Sequence, residues 1–120
     1  MEARILLVDD DRLLREVIGE CLTLNGYQVD LAEDASVALQ LFKPGLYQLA
    51  LIDLVMPGMN GLELMQKLLE ADAEIFCLIM TGYPTIDSAY KAMVVGASDY
   101  IIKPFQLNEL IASVKVNLEK

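Results

Sequence analysis

The residues best suited to chemistry are a few carboxylates, one hydroxyl and one lysine, and each directly follows a short apolar run. Three consecutive aspartates occupy positions 9–11, and Asp53, Thr81 and Lys103 follow three later runs. Clustered carboxylates repel one another unless a cation lies among them, and Mg²⁺ prefers oxygen ligands of this kind. If the runs end at one place in the fold, the sequence predicts a site for a metal ion and an anion together.

The charges of these residues support that prediction. Asp9, Asp10 and Asp53 contribute three negative charges and Lys103 contributes one positive charge, so that the set carries −2. One Mg²⁺ would neutralise it. Each residue alone also has a structural interpretation: Asp11 can cap a helix, the Thr81 hydroxyl can bond to backbone, and a single lysine is usually solvated.

The composition argues against several classes of function. The chain contains no histidine, which removes histidine-based acid–base catalysis, metal ligation and autophosphorylation. Nine basic residues against eighteen acidic ones give a formal net charge of −9, which disfavours direct binding to nucleic acid or anionic lipid. Cys21 and Cys77 lie in apolar stretches without metal-site spacing, and we expect reduced core thiols in a cytoplasmic protein.

The length and the apolar pattern predict one α/β domain, residues 1–120, without a signal peptide or membrane span. Short apolar runs predict five strands, at 5–8, 28–32, 49–52, 75–80 and 100–102. Segments with apolar residues at helical spacing follow each run. Asn25-Gly26 and Pro44-Gly45 are predicted to end the first two helices, and Pro84 to open the fourth.

Strict alternation of strand and helix predicts a parallel sheet with helices on both faces, a three-layer αβα sandwich. Helical stripes include Leu14, Val17, Ile18, Cys21 and Leu22 in the first helix and Ile86, Ala89, Tyr90, Met93 and Val94 in the fourth. In such sheets, ligands bind outside the carboxyl ends of the strands. The aspartates, the threonine and the lysine all follow strands, so we expect them to converge there.

Four strings in this order resemble the response-regulator receiver domains of two-component systems: ILLVDDD at 5–11, LIDLVMPGMNGLEL at 51–64, MTG at 80–82 and DYIIKPF at 99–105. The resemblance spans essentially the whole chain. It implies a flavodoxin-like fold with strand order 2-1-3-4-5 and a role in a phosphorelay. A receiver is a signalling protein that assists its own phosphorylation and dephosphorylation rather than an enzyme.

The resemblance also implies roles for individual residues. Asp53 matches the phosphoacceptor, which takes a phosphoryl group from a phosphohistidine of a histidine kinase or a histidine phosphotransfer protein. Asp10 would ligate Mg²⁺, for which Mn²⁺ can substitute, and Asp9 would act through a metal-bound water. Asp53 and the backbone carbonyl of Val55 would complete the protein ligands.

Further roles follow from the same resemblance. Lys103 would pair with the phosphoryl group, and Thr81 would donate its hydroxyl to it. Tyr100 matches the switch aromatic, although a strand aromatic packed on the fourth helix remains the alternative. The Lys103-Pro104 bond is expected to be cis. The surface of helix 4, strand 5 and helix 5 would carry the signal to an output domain, a partner or a second copy in a homodimer.

Three positions near the predicted site, Asn60, Val55 and Tyr83, differ from the commonest receiver motif or would affect the lifetime of the phosphoryl group. Asn60 stands where aspartate is more usual in the turn after the acceptor, and it should support the same turn. Val55 and Tyr83 would flank the phosphoryl group, and we hypothesise that they slow its hydrolysis. Loss of phosphate within seconds from the purified chain would contradict that hypothesis.

Three other functions remain open from the residues. A phosphatase similar to the haloacid dehalogenases would use Asp9 as nucleophile within the D-x-D spacing of positions 9–11, but the chain is short and Leu13 does not match that family. A flavodoxin-like flavin carrier would place a flavin phosphate against the three aspartates, which would repel it. A degenerate receiver that serves only as an interaction module would not need the intact set of acids and lysine.

Overall fold

A computed structural model describes residues 3–119 of the chain, so that residues 1, 2 and 120 of the predicted domain lie outside the description. All strand pairings are parallel, and the sheet has the order β2-β1-β3-β4-β5. The strands are β1 (Arg4–Val8), β2 (Gln28–Ala32), β3 (Leu49–Asp53), β4 (Phe76–Thr81) and β5 (Asp99–Ile102). The predicted αβα sandwich and its strand order are therefore confirmed.

One helix follows each strand along the chain. The helices are α1 (Arg12–Leu24), α2 (Ala35–Leu41), α3 (Gly61–Ala71), α4 (Ile86–Val95) and α5 (Leu107–Leu118). None of the helices within residues 3–119 is both long enough and apolar enough to cross a bilayer.

Two apolar clusters hold the helices against opposite faces of the sheet. One cluster joins α1 and α5 to residues such as Leu7 and Leu51, and the other joins α2, α3 and α4 to residues such as Leu6 and Ile52. Successive side chains of a strand point to opposite faces, so each central strand contributes to both clusters. Burial on both faces explains why the central strands are uninterrupted apolar runs.

The helix termini confirm some expectations and correct others. The Asp11 carboxylate accepts a hydrogen bond from the backbone N–H of Leu14 and caps α1. Helix α2 ends at Leu41, before the predicted stop at Pro44-Gly45. The prediction that Pro84 opens α4 is also wrong. Thr85 is the N-cap of the helix and forms a capping box with Ser88.

The apolar stripe predicted on the fourth helix points mostly outward. Ile86 is 91% exposed, Tyr90 70%, Met93 54% and Val94 66%, whereas Ala92 is fully buried against the sheet. The small alanine lets the helix lie close to the sheet, and its large apolar side chains then face solvent. Exposed apolar patches of this kind mark interaction surfaces.

The two cysteines are free thiols. Cys77 is buried in the core, and burial raises the pKa of its thiol to about 12. A thiol with so high a pKa is unreactive at neutral pH, in agreement with the predicted structural role.

Candidate functional site

The carboxyl ends of four strands place the predicted residues at one edge of the sheet. Asp53 is the last residue of β3 and Thr81 the last of β4, whereas Asp9 directly follows β1 and Lys103 directly follows β5. Parallel strands in register end together: Asp53 lies opposite Met80, and Thr81 lies opposite Ile102. The convergence expected from the sequence is therefore present.

Three carboxylates form the centre of this edge. Asp9, Asp10 and Asp53 each offer an oxygen atom, and these atoms lie within 4.8 Å of one another. Asp9 and Asp53 are 0% and 5% exposed, while Asp10 is open to solvent. Mg²⁺ in proteins commonly binds one or two carboxylates and retains several waters. Two buried carboxylates and an exposed one thus fit a partly hydrated Mg²⁺.

Lys103 links two of the carboxylates. Its Nζ lies 2.9 Å from Asp9 Oδ2 and 3.4 Å from Asp53 Oδ1. Burial lowers the pKa of Lys103, but the two carboxylates outweigh burial and leave the pKa above its ordinary value. The lysine therefore stays protonated and brings a positive charge next to Asp53.

Asp53 has an unusual ionisation. Burial, and then the charge of Asp9, raise the pKa of the Asp53 carboxyl to about 6, against the opposing effect of Lys103. A strongly perturbed carboxyl in a polar cluster is typical of a functional site. At neutral pH, Asp53 is mostly ionised, with an oxygen that can attack an electrophile.

Asp9 is held on several sides. Its Oδ1 accepts the backbone N–H of Asp11 at 2.9 Å, and its Oδ2 faces Lys103. Arg15 of α1 donates from its guanidinium to the backbone carbonyl of Asp9 at 2.7 Å. Because both carboxylate oxygens already have partners, Asp9 is less suited than Asp53 to act as a nucleophile.

Arg15 and Gly61 contribute to the site and were not identified from the sequence. The Arg15 guanidinium reaches back from α1 to the loop that carries the acids. A Cβ atom on Gly61 would lie 2.9 Å from Leu54 Cα and would also overlap the carbonyl oxygen of Asp53. The glycine after a capping residue was a usable signal, since close backbone approach requires glycine.

The loop after Asp53 is anchored at both ends. The Leu54 N–H donates to the Met80 carbonyl at 2.8 Å, and the Gly61 N–H donates to the Leu54 carbonyl at 2.9 Å. Asn60 caps α3 through a hydrogen bond from the Glu63 N–H at 3.0 Å. Asparagine therefore supports this turn, as the sequence predicted.

Thr81 and Tyr100 each have a hydrogen-bond partner in the segment that runs from the loop after β4 into the first turn of α4. The buried Thr81 hydroxyl accepts the backbone N–H of Tyr83 at 3.0 Å. The Tyr100 hydroxyl lies 2.8 Å from Ser88 Oγ, and Ser88 also belongs to the capping box of α4. Ser88 is a further contact that the sequence did not reveal. The Lys103–Pro104 peptide bond is cis.

A family model described as the response regulator receiver domain matches residues 5–115. Response regulator MprA of Mycolicibacterium vanbaalenii is 36% identical over 120 residues, which cover 100% of this chain and 52% of that protein. The chain thus spans about half the length of the curated relatives that it matches.

Solved structures agree in fold. A CheY-like response regulator receiver domain protein from Methanospirillum hungatei superposes with a TM-score of 0.95 at 30% identity, covering 99% of this chain and 95% of that one. The non-phosphorylated HemR receiver domain from Leptospira biflexa gives a TM-score of 0.95 at 29% identity, with coverage of 99% and 96%.

Proposed function

Since the chain belongs to the response regulator receiver domain family, we propose that Asp53 is its phosphoryl acceptor. The observation that carries this proposal is the meeting of three carboxylates, with Lys103 Nζ 3.4 Å from Asp53 Oδ1. We further propose that residues 1–120 form one receiver domain. Receivers are signalling proteins, and we assign this chain no catalytic turnover of a separate substrate.

The proposed step is attack on phosphorus by an ionised Asp53 oxygen, which forms an aspartyl phosphate as the bond between phosphorus and the donor atom breaks and its electron pair stays on the donor. Lys103 is placed to pair with the phosphoryl oxygens as charge shifts onto them, because its ammonium already lies beside Asp53. Thr81, at the end of β4, would turn its hydroxyl from the Tyr83 N–H towards the phosphoryl group.

Asp9, Asp10, Asp53 and the backbone carbonyl of Val55 are proposed to hold Mg²⁺, or Mn²⁺ in its place. When bound, the ion would offset the repulsion among the carboxylates and the charge of the phosphoryl group. The fit of the three carboxylate oxygens within 4.8 Å supports this assignment. Asp9 would act mostly through a metal-bound water, since Lys103 and the Asp11 N–H already bond to it.

We propose that the donor is a phosphohistidine on a histidine kinase or a histidine phosphotransfer protein. Residues 1–120 contain no histidine, so that the donor histidine must lie outside this segment. The net charge of −9 supports a role without direct nucleic-acid binding by this segment. A cytoplasmic location and a long-lived phosphoryl group also remain predictions.

The proposed output surface comprises α4, β5 and α5. Thr81 and Tyr100 would couple it to Asp53, because Thr81 bonds to the loop before α4 and Tyr100 bonds to Ser88 within α4. The exposed apolar side chains of α4 lie on this surface and support a contact there with an output domain, a partner or a second copy in a homodimer.

The assignment of Asp53 as the phosphoryl acceptor is tested by intact-mass analysis after incubation with acetyl phosphate, with and without Mg²⁺. We expect a Mg²⁺-dependent gain of about 80 Da, the mass of one phosphoryl group on a carboxylate. The gain should be absent from Asp53→Asn and present in Asp34→Asn, a matched control in which asparagine can still cap α2. Labelling of Asp53→Asn would refute the assignment and direct attention to Asp9.

A further inference from the structure

Asp9 is held through all four of its polar groups. Its backbone N–H donates to the Ala32 carbonyl at 3.1 Å. Its carboxylate accepts from the Asp11 N–H and from Lys103 Nζ, each at 2.9 Å. The fourth contact joins the Asp9 carbonyl to the Arg15 guanidinium at 2.7 Å. This last contact is the one that ties the residue before Asp10 to α1.

Arg15 bonds to the backbone on both sides of Asp10. Its guanidinium donates to the carbonyl of Asp9, and its own backbone N–H donates to the carbonyl of Asp11 at 2.9 Å. Asp10 lies between these carbonyls and is exposed. The peptide group that joins Asp9 to Asp10 is planar, so that its rotation would break the bond to the guanidinium and turn the Asp10 side chain.

The partner of the guanidinium is a carbonyl and not a carboxylate. Within residues 3–119, no ion pair joins Arg15 to an acidic side chain, although three aspartates occupy the adjoining loop. A hydrogen bond from a charged donor is stronger than one from a neutral donor. The contact therefore fixes the backbone and leaves the Asp10 carboxylate available to a metal ion.

The charge of Arg15 opposes a cation at this site. Oxygen atoms of Asp9, Asp10 and Asp53 lie within 4.8 Å of one another, and a positive charge near them repels Mg²⁺. If Arg15 acted through its charge alone, its removal would strengthen Mg²⁺ binding. If it acts by holding the backbone, its removal would weaken Mg²⁺ binding. The two effects have opposite signs, which makes them separable.

Resting on the proposed function, we propose that Arg15 is a positioning residue for the Mg²⁺ site. Its guanidinium fixes the peptide group between Asp9 and Asp10 and thereby keeps the Asp10 carboxylate beside Asp53. Arg15 acts through Asp10 and contacts neither the ion nor the phosphoryl group. Removal of a group that orients a metal ligand typically costs roughly 10- to 100-fold in metal affinity.

Arg15→Met and Arg12→Met are a matched pair of variants. Both remove one positive charge from the first four residues of α1 and introduce an unbranched residue that favours helix. The Arg12 side chain is 83% exposed and pairs with Glu16, so that its removal leaves the contacts of Asp9 intact. Arg15→Lys retains a charged donor for the Asp9 carbonyl.

The first experiment measures Mg²⁺ affinity by titration of the ¹⁵N-labelled, unphosphorylated chain, followed at the amide resonances of Asp10 and Asp53. We expect Arg15→Met to weaken binding about tenfold. Arg15→Lys should recover part of this loss, and Arg12→Met should change the affinity less than about twofold because its charge is screened by solvent. The Asp10 resonance of Arg15→Met should also be displaced before Mg²⁺ is added.

A second experiment separates ion binding from the reacting groups. The rate of labelling by acetyl phosphate is measured as a function of Mg²⁺ concentration. Arg15→Met should raise the half-saturating Mg²⁺ concentration about tenfold and leave the rate at saturating Mg²⁺ within about twofold of the parent. A general distortion of the site would instead lower the saturating rate, since Asp53 and Lys103 would also be displaced.

The outcomes separate this inference from the proposed function. If the parent chain does not bind Mg²⁺, the proposed metal site fails and the role of Arg15 fails with it. If the parent binds Mg²⁺ and Arg15→Met binds it equally or more tightly, the metal site stands and positioning by Arg15 is refuted. An equal loss in Arg12→Met, no recovery in Arg15→Lys or a lowered saturating rate would also refute it. Urea unfolding checks that each variant is folded, and Arg15→Gln, which is too short to reach the carbonyl, replaces an unfolded Arg15→Met.

Discussion

At the scale of single residues, Asp53 combines burial with a proposed role that requires a charge. It is almost fully buried, which disfavours its charged form, and yet the proposed attack on phosphorus requires it to be ionised. Lys103 partly offsets the cost of burial, so that the pKa of Asp53 rises only to about 6. The side chain is thus mostly a carboxylate at neutral pH, at an energetic cost to the folded state.

We predict that Asp53→Asn stabilises the metal-free chain at pH 7 by about 1–3 kcal/mol in the free energy of unfolding. Folding raises the pKa of Asp53 from 3.8 to about 6. Below about pH 4, both states are protonated and the ionisation cost vanishes. As the pH rises through about 6, the native carboxyl loses its proton and the cost becomes complete. Asparagine does not ionise, so that the folded state of Asp53→Asn does not carry this cost.

Urea unfolding in EDTA, from pH 4 to pH 7.5, measures the difference between the two proteins. The stability advantage of Asp53→Asn should grow with pH over this range. Addition of Mg²⁺ should reduce the advantage, because an ion that binds the native carboxylates stabilises the parent chain more. An advantage that is constant with pH would contradict the proposed cause.

At the scale of elements, the backbone at the start of α3 packs directly against the backbone at the end of β3, with no side chain between them. The space around Gly61 has no room for a Cβ, because Leu54 Cα and the Asp53 carbonyl already occupy it. The helix therefore directly sets the position of Asp53, the proposed acceptor. A displacement of α3 would be transmitted to Asp53 without an intervening side chain.

We predict that Gly61→Ala destabilises the chain by about 1–3 kcal/mol, as expected for overpacking against backbone. It should also slow the labelling of Asp53 by acetyl phosphate, because the acceptor is displaced. Gly19→Ala is the matched control. Gly19 is also buried within a helix, but the atoms nearest to its added Cβ belong to the flexible side chain of Leu31, the closest at 3.0 Å. Equal effects of both changes on labelling would contradict direct positioning by Gly61.

A second contact between elements joins β5 to the first turn of α4. Tyr100 Oη and Ser88 Oγ lie 2.8 Å apart, and Ser88 also completes the capping box with Thr85. A change in the position of Tyr100 would therefore act on the N-terminus of α4. This contact provides the proposed switch with a physical link to the helix that carries the exposed apolar side chains.

We predict that Ser88→Ala and Tyr100→Phe are not additive. Each should lower the free energy of unfolding, but the shared hydrogen bond is lost only once, which leaves a coupling energy of about 0.5–1 kcal/mol. Urea unfolding of the parent, the single variants and the double variant measures this coupling. Additive effects would mean that the two hydroxyls do not stabilise each other.

At the scale of the whole molecule, charge and apolar surface are unevenly arranged. The chain carries −9, yet four large apolar side chains of α4 are more than half exposed: Ile86, Tyr90, Met93 and Val94. General repulsion between copies opposes association, so any stable contact must bury a local apolar patch. The α4 surface provides such a patch.

We predict that the phosphorylated chain forms a homodimer through this surface and that Val94→Glu abolishes the dimer. Sedimentation with and without acetyl phosphate and Mg²⁺ measures the change in mass. Leu24→Glu is the control, since Leu24 is 80% exposed on α1 and lies outside the surface. Both variants should fold, because exposed positions tolerate charge. A dimer that survives Val94→Glu, or no dimer at all, would refute this contact.

The sequence by itself determined the order of the elements and the edge of the sheet at which the candidate site lies. Apolar periodicity is local, so that buried runs and helical stripes can be recognised without knowledge of their partners. Parallel strands end at a common edge, which predicts the convergence of Asp9, Asp53, Thr81 and Lys103. The orientation of α4 was not predictable in this way, because its buried Ala92 carries less apolar surface than its exposed Tyr90.

Only the tertiary structure decided how these groups share their contacts. Lys103 lies closer to Asp9 than to Asp53, Arg15 holds the Asp9 carbonyl, and the backbone of Asp53 excludes a side chain at position 61. A cavity of about 440 Å³ beside Lys103 likewise requires three segments far apart in the chain, namely α1, the loop after β4 and the loop after β5. Such features depend on differences of a few tenths of an ångström in the distances between residues that are far apart in the chain. Packing sets those distances, and no local pattern records them.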